Sequence, residues 1–192
     1  VHVATGNTEN GQIRPMEMEA GATTSMFWFP FGGARTGFIR LAGSADRFAA
    51  VVATRPVLNQ PDQVTLLADP NPQAKGWQLP TVQHITWKAP DGTTVGGVLE
   101  LPADYKEGTR LPLVVAIHGG PTTSAKAELT FDPHNGRLYF AAAGYAVLAP
   151  NYRGSTGYGD KFVTDLIGNE NDVDVKDILA GIQHLVKEGI AD

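Results

Sequence analysis

The sequence predicts an α/β fold with a mostly parallel sheet and flanking helices, preceded by a region of antiparallel strands. Two apolar runs, residues 111–118 and 145–152, are separated by a helix-forming segment that ends in glycine. This strand–helix–strand order is typical of a parallel crossover unit. Several shorter β segments separated by turn residues occupy the first 70 positions, and this spacing favours antiparallel sheet.

The first region contains four predicted strands, at residues 25–31, 37–43, 47–55 and 63–69. They are too few to close a barrel or a sandwich, and they are more typical of one or two units of a larger array. The Pro-, Asn- and Gly-rich segment 67–80 predicts a boundary between residues 1–80 and residues 81–192.

The second region begins with a predicted hairpin over residues 81–102, which turns at Asp91-Gly92. The β-branched run 111–118 predicts a strand buried on both faces, and residues 137–144 a helix leading to the strand 145–152. A short helix is predicted at 160–167.

A longer amphipathic helix is predicted from Asp172 to Glu188, with Asn171 as N-cap and Gly189 as the stop. Its apolar positions recur at helical spacing: Val175, Ile178, Leu179, Ile182, Leu185 and Val186.

Composition excludes several classes of protein. The 192 residues are 42% hydrophobic with a net charge of -5, and they contain no basic run for nucleic acid or anionic lipid. No stretch is long enough to span a membrane, so we expect a soluble protein without nucleic-acid or membrane partners. The chain has no cysteine and begins at Val1, which indicates a processed or excised piece, and its compartment stays open.

The loop after the first apolar strand contains His118, Gly119, Gly120 and Pro121. Proline has no N–H group, so any backbone donors at this turn come from the three residues before it. A Gly-Gly pair after a central strand is where hydrolases supply one donor of an oxyanion hole. A simple turn of the chain explains the same residues, and both interpretations remain open here.

The loop after the second strand, residues 151–159, contains Arg153 and Ser155. Ser155 is out of register with a G-x-S-x-G nucleophile elbow, and the glycines fit no phosphate-binding loop. Arg153 either binds a carboxylate or carbonyl of a ligand, or forms an ion pair within the protein.

Metal and cofactor sites are not predicted. Asp172, Asp174 and Asp177 lack the spacing of a calcium loop, and they suit the start of a helix. The histidines at positions 2, 84, 134 and 184 show no metal-ligand spacing, and of these only His134 is expected near a cleft.

Four segments in this order resemble the prolyl oligopeptidase family of serine peptidases: "TWKAPDGTTVGGVLELPADY", "LPLVVAIHGGP", "AAAGYAVLAPNYRGSTGYGDKF" and "DVKDILAGIQHLV". The HGGP form is most similar to the acylaminoacyl-peptidase branch. The resemblance covers residues 81–192 and implies the N-terminal half of an α/β-hydrolase domain. It also implies that residues 1–80 are the C-terminal part of a β-propeller.

The resemblance also implies roles for individual residues. The Gly120 N–H is the expected oxyanion donor in the loop that it shares with His118 and Gly119. Pro121, Tyr152 and Arg153 are expected beside the substrate, although many relatives have proline where this chain has Tyr152.

The resemblance places the catalytic Ser, Asp and His beyond Asp192, so neither the five histidines nor Ser25, Ser44, Ser124 or Ser155 is expected in the triad. The expected partners are the remainder of the hydrolase domain and a peptide substrate, and a homo-oligomer is left open. The implied activity is cleavage of short or N-acylated peptides by the complete protein, with this chain alone inactive. A carboxylesterase and a non-catalytic binding or assembly module are the alternatives.

Overall fold

The computed structural model describes residues 3–5, 14–16, 26–29, 37–55, 57 and 60–192. These residues form antiparallel and mixed sheets with few helices. The first sheet is a two-stranded pair of β1 (Val3–Thr5) and β2 (Arg14–Met16).

The second sheet is an antiparallel meander of four strands in sequential order. It confirms the four strands predicted from the sequence, which are β3 (Met26–Phe29), β4 (Gly37–Ser44), β5 (Arg47–Arg55) and β6 (Gln63–Ala68). Alternate residues of β5 are buried on one face, as the period-2 pattern requires.

A third sheet has the order β7-β8-β10-β9. Its strands are β7 (Thr81–Lys88), β8 (Thr94–Leu101), β9 (Leu113–Val115) and β10 (Ala146–Asn151). The predicted hairpin of β7 and β8 is confirmed, and its turn places Gly92 at a φ of 86°. All six residues of β10 are buried, so this strand is the centre of the fold.

The expectation of a mostly parallel sheet is wrong for the strands that the structure describes. Only β9 and β10 are parallel, while β8 pairs antiparallel with both β7 and β10. The physical reason is connectivity, because a tight turn joins β7 to β8, whereas a helical crossover joins β9 to β10.

The expectation of a strand over 111–118 buried on both faces is also wrong. β9 contains three residues, all half-buried, and Ile117 is 55% exposed. One edge of β9 pairs with β10, and on the other edge the described chain supplies a single parallel bridge between Leu111 and Ala191.

The three α-helices lie close to their predicted positions. They are α1 (Arg137–Ala142), α2 (Asp160–Thr164) and α3 (Val173–Lys187). The prediction of Asn171 as the N-cap of α3 is wrong. Asp172 holds that position, and Asn171 adopts a φ of 64°. Gly189 has a φ of 73° just after the helix, consistent with its predicted role as the stop.

Helix α3 packs on the third sheet through Gly181 and Leu185. The ring of Trp87 lies against Gly181, and its Nε1 donates a hydrogen bond of 2.8 Å to the Asp177 carbonyl. Val175 and Leu179, on the predicted apolar face, are 43% and 50% exposed. The buried stripe is therefore narrower than the sequence predicts.

The second and third sheets are joined through the chain that precedes α1. The Leu129 amide donates to the Ser44 carbonyl at 2.9 Å, and the Phe131 ring stacks on Phe48 with centroids 4.1 Å apart. The Trp77 ring meets the Phe131 ring in an edge-to-face arrangement, with centroids 5.9 Å apart. This region therefore ties the loop that follows β9 to strand β5.

Among the described residues, no helix has both the length and the apolar character needed to cross a bilayer.

The substitution Gly181→Ala should destabilise this part of the fold. A Cβ at this position would lie 2.7 Å from Cζ2 of Trp87. Overpacking of a core costs about 1–3 kcal/mol, and the better helix propensity of alanine returns at most about 1 kcal/mol. Urea unfolding followed by tryptophan fluorescence should show a lower midpoint. Gln183→Ala, on the exposed face of the same helix, should leave the midpoint within error.

Candidate active site

Two loops meet at the carboxyl ends of β9 and β10. These strands are parallel neighbours, so the loops after them emerge at the same edge of the sheet. The Thr156 amide donates to the Thr123 carbonyl at 3.1 Å and joins the loops directly. Gly154 has a φ of 104°, and a Cβ there would lie 2.5 Å from Cδ2 of Leu166 and 3.2 Å from Cβ of Pro121, so the backbone conformation and the close packing both favour glycine.

The side chain of His118 connects the two loops. Its ring stacks on Tyr152 with centroids 4.8 Å apart and 16° between the planes. The Tyr152 hydroxyl donates a 2.6 Å hydrogen bond to the His118 carbonyl. The Nε2 atom of His118 lies 3.1 Å from Oγ of Ser155, which is fully buried. The structure therefore brings His118 and Tyr152, two of the predicted site residues, into contact.

Burial lowers the pKa of His118, which favours the neutral form of its ring. The Nδ1 atom lies 3.4 Å from the Gly119 carbonyl oxygen, which accepts hydrogen bonds and cannot donate them. A proton on Nδ1 satisfies this contact and leaves Nε2 to accept the hydroxyl proton of Ser155. Burial, with the charge of Asp174 as a second cause, raises the pKa of Tyr152, which keeps its hydroxyl a donor.

Gly119 and Gly120 form the exposed tip of the first loop. Gly120 has a φ of 73°, and a Cβ on either glycine would meet no atom within 4 Å. The Gly120 carbonyl accepts hydrogen bonds from the amide and the hydroxyl of Thr122. Within the described residues no acceptor binds the Gly120 N–H. The backbone at this tip can therefore offer a donor to a bound group.

Arg153 lies away from this tip, in an ion pair within the protein. Its Nε and Nη2 donate to the two oxygens of Asp177 at 2.9 and 2.8 Å, and Nη1 donates to Asp91 at 2.5 Å. Its backbone amide also donates to Asp177. The guanidinium is buried, so the structure supports the ion-pair interpretation of Arg153 in place of a substrate contact.

A cavity of about 300 Å³ adjoins this ion pair. It is lined by Pro90, Asp91, Arg153, Val173 and Lys176. Of the predicted site residues Arg153 alone lines this cavity, whereas His118 and the glycine tip do not.

Asn151 is a site residue that the sequence reasoning missed. Its side chain is buried at the end of β10, where its Oδ1 accepts from the Ala125 amide at 2.7 Å. Its Nδ2 donates to the Ala125 carbonyl and to the Tyr158 hydroxyl, both at 3.0 Å. A buried asparagine thus clamps the loop after β9. The signal in the sequence was a single amide residue at the end of an otherwise apolar strand.

Among the residues that the structure describes, the other histidines and the acids form no second site. His134, expected near a cleft, is exposed, and its amide donates to Asp132. His84 lies 3.2 Å from the Tyr158 hydroxyl. In the described part of the chain, no group of three or more His, Asp or Glu side chains is arranged to hold a metal ion.

His118 and Ser155 are the residue types of a nucleophile–base pair, but their surroundings differ from those of such a pair. Ser155 is fully buried, so no substrate carbonyl reaches its hydroxyl. The other ring nitrogen of His118 faces a backbone carbonyl and not a carboxylate. The assignment of the nucleophile to a serine other than Ser155 stays a prediction.

Comparison with known proteins gives consistent relationships. Residues 131–192 match the model of the prolyl oligopeptidase family. The chain is 33% identical over 109 residues to the acylamino-acid-releasing enzyme of Sus scrofa, covering 57% of this chain and 14% of that protein. Tyr152 and Arg153 lie inside the family match, whereas residues 118–121 precede it.

Two solved structures are similar to the described fold. A puromycin-hydrolyzing peptidase of Mycobacterium tuberculosis has a TM-score of 0.72 at 27% identity, covering all of this chain and 28% of its own. The acylaminoacyl peptidase of Pyrococcus horikoshii has a TM-score of 0.70 at 24% identity, covering 95% of this chain and 27% of its own, a likeness of fold. The chain therefore spans about a seventh to under a third of the length of these relatives.

Asp177→Asn should strongly destabilise the fold. This change removes the negative charge of the carboxylate that accepts two hydrogen bonds from the Arg153 guanidinium. Breaking a buried ion pair by removing one partner costs about 3–5 kcal/mol. Thermal unfolding should show a much lower midpoint. Lys176→Ala removes the exposed pair with Asp172 on the same helix and should cost about 0.5 kcal/mol or less. Equal effects of the two substitutions would contradict this interpretation of the Arg153–Asp177 pair.

Asp91 should contribute to stability in a pH-dependent way. Hydrogen bonds from the Thr93 amide and side chain, with Arg153 as a further cause, lower the pKa of Asp91 to about 2. A lowered pKa gives stability that is complete above the ordinary value near 4 and is lost as pH falls toward 2. Asp91→Asn should therefore unfold at a lower temperature than wild type at pH 6, and the difference should shrink as the pH falls through 2.

Proposed function

We propose that this chain, related to the prolyl oligopeptidase family through residues 131–192, supplies part of the active site of a serine peptidase. The complete protein would cleave short peptides or N-acylated peptides. The observation that carries the proposal is the exposed glycine tip after β9, which presents the Gly120 N–H and is locked to the neighbouring loop through His118.

The proposed reaction is acyl transfer through a serine. A serine hydroxyl, deprotonated by a histidine, attacks the scissile carbonyl, and the carbonyl oxygen becomes an anion as the tetrahedral intermediate forms. The Gly120 N–H donates to this oxygen, together with a second N–H beside the nucleophile. One such donor lowers the barrier by about 2.7–4 kcal/mol. The catalytic Ser, Asp and His are assigned to the remainder of the hydrolase domain.

We propose the same division of the chain that the resemblance implies. Residues 81–192 would be the N-terminal half of an α/β-hydrolase domain, and residues 1–80 the C-terminal part of a β-propeller. The sequential four-stranded meander β3–β6 supports the second assignment, because propeller blades are sheets of four antiparallel strands.

The remainder of the hydrolase domain is the proposed partner of the β9 edge. The Leu111 amide donates to the Ile190 carbonyl at 2.9 Å, and the Asp192 amide donates to the Leu111 carbonyl at 3.3 Å. These bonds start a parallel ladder on the edge of β9 opposite β10. A strand that continued this ladder would cover Ile117 and give β9 two neighbours.

A fluorophosphonate probe tests the proposed chemistry. The complete protein should be labelled on one serine, because the probe reacts with activated serine nucleophiles. The isolated 192-residue chain should stay unlabelled, and so should the complete protein after heat denaturation. Labelling of Ser155 or of any other serine in residues 1–192 would overturn the assignment of the nucleophile.

Substrate class is tested with the complete protein and matched acyl-amino-acid substrates. The names of the related enzymes favour amide substrates, since one releases acylamino acids and another hydrolyses puromycin. We expect turnover of an acetyl-amino-acid p-nitroanilide as well as its p-nitrophenyl ester. Turnover of the ester alone would indicate a carboxylesterase, and turnover of neither, with no labelling by the probe, a binding or assembly module.

A further inference from the structure

The orientation of the peptide between Gly119 and Gly120 decides where the oxyanion donor points. We infer that His118 and Ser155 set this orientation and are therefore positioning residues for the Gly120 N–H. The inference rests on the proposed function, in which that N–H binds the oxyanion. Neither side chain is inferred to touch the substrate.

The first step of the argument is the geometry of one peptide unit. The Gly119 carbonyl and the Gly120 N–H belong to the same planar peptide, which is trans, so they point in opposite directions. A donor that holds the Gly119 oxygen therefore also fixes the direction of the Gly120 N–H. The His118 Nδ1 atom, 3.4 Å from that oxygen, is in the position to do so.

The second step is that this peptide needs an external restraint. Both flanking residues are exposed glycines, and no side chain packs against them. Glycine peptides rotate more freely than others because no Cβ limits their dihedrals. If this peptide rotated, the Gly119 carbonyl oxygen would take the place of the Gly120 N–H. Its partial negative charge would then face the negative charge of the oxyanion.

The third step concerns what holds the His118 ring. Tyr152 supports the ring from one face and binds the His118 carbonyl through its hydroxyl. The buried hydroxyl of Ser155 is 3.1 Å from Nε2. When Nε2 accepts the Ser155 proton, the neutral ring carries its own proton on Nδ1, where it faces the Gly119 oxygen. Ser155 thus selects the tautomer that can hold the peptide.

The test uses Ser155→Ala in the complete protein, with Ser124→Ala as the matched control. Ser124 lies in the loop after β9, which also carries the glycine tip, and its side chain makes no hydrogen bond within the described residues. The readouts are kcat and KM for an acyl-amino-acid anilide, and inhibition by a peptide aldehyde. The hemiacetal adduct of the aldehyde places an oxyanion in the hole.

We expect Ser155→Ala to lower kcat about 10- to 100-fold, the range expected when a catalytic group is misplaced by up to 1 Å. KM should stay within about twofold, and aldehyde inhibition should weaken roughly in parallel with kcat. Ser124→Ala should match wild type in all three readouts. A wild-type kcat and aldehyde affinity in folded Ser155→Ala would overturn the inference.

Two substitutions of His118 keep the test decisive if Ser155→Ala folds poorly. His118→Asn retains an N–H donor near the position of Nδ1, whereas His118→Phe retains the ring that stacks on Tyr152 and loses both hydrogen bonds. The asparagine variant should keep more of kcat than the phenylalanine variant. Equal kcat values, or losses that follow only the unfolded fraction in thermal melts, would show a merely structural role.

Failure of the proposed function gives a different result. In that case the wild-type complete protein would neither react with the fluorophosphonate probe nor hydrolyse the anilide. An active wild type with an insensitive Ser155→Ala variant would leave the peptidase proposal intact and remove only the positioning role.

Discussion

The buried ion pair between Arg153 and Asp177 is the interaction on which the arrangement of the described α/β region depends. Arg153 follows the central strand β10, Asp177 lies on α3, and Asp91 lies in the turn between β7 and β8. One guanidinium therefore fixes a strand end, a helix and a hairpin relative to each other. Because both Arg153 and Asp177 are desolvated, neither charge can be removed without leaving the other unpaired.

This anchor has a consequence for the neighbouring loop. With Arg153 held toward α3, the residues on either side of it, Tyr152 and the Gly154-Ser155 pair, face the loop after β9. Tyr152 and Ser155 then hold His118 by its carbonyl and its ring. The candidate site is thus built in two layers: an ion pair positions one loop, and that loop positions the glycine tip of the other.

Asn151 adds a second attachment at the base of the same loop. Its amide group binds both the N–H and the carbonyl of Ala125, which satisfies a loop backbone in the way a neighbouring strand would. The loop is further attached to β4 through Leu129 and to β5 through Phe131. A Cβ on either glycine of its tip would meet no atom within 4 Å, and this open space suits a segment whose backbone must approach a bound group closely.

Local patterns in the sequence were sufficient to predict β3 to β6, the hairpin at Asp91-Gly92, the crossover helix α1 and β10, since each depends on residues near one another in the chain. The mixed sheet, the short β9 and the exposed Val175 and Leu179 could not be predicted, because pairing partners and burial are set by distant segments. The same limit applies to side-chain partners. Arg153 binds Asp177, which is 24 positions away in the sequence, and Ser155 lies against His118, which is 37 positions away. Only the tertiary structure brings these residues into contact, so local patterns could not predict either pairing.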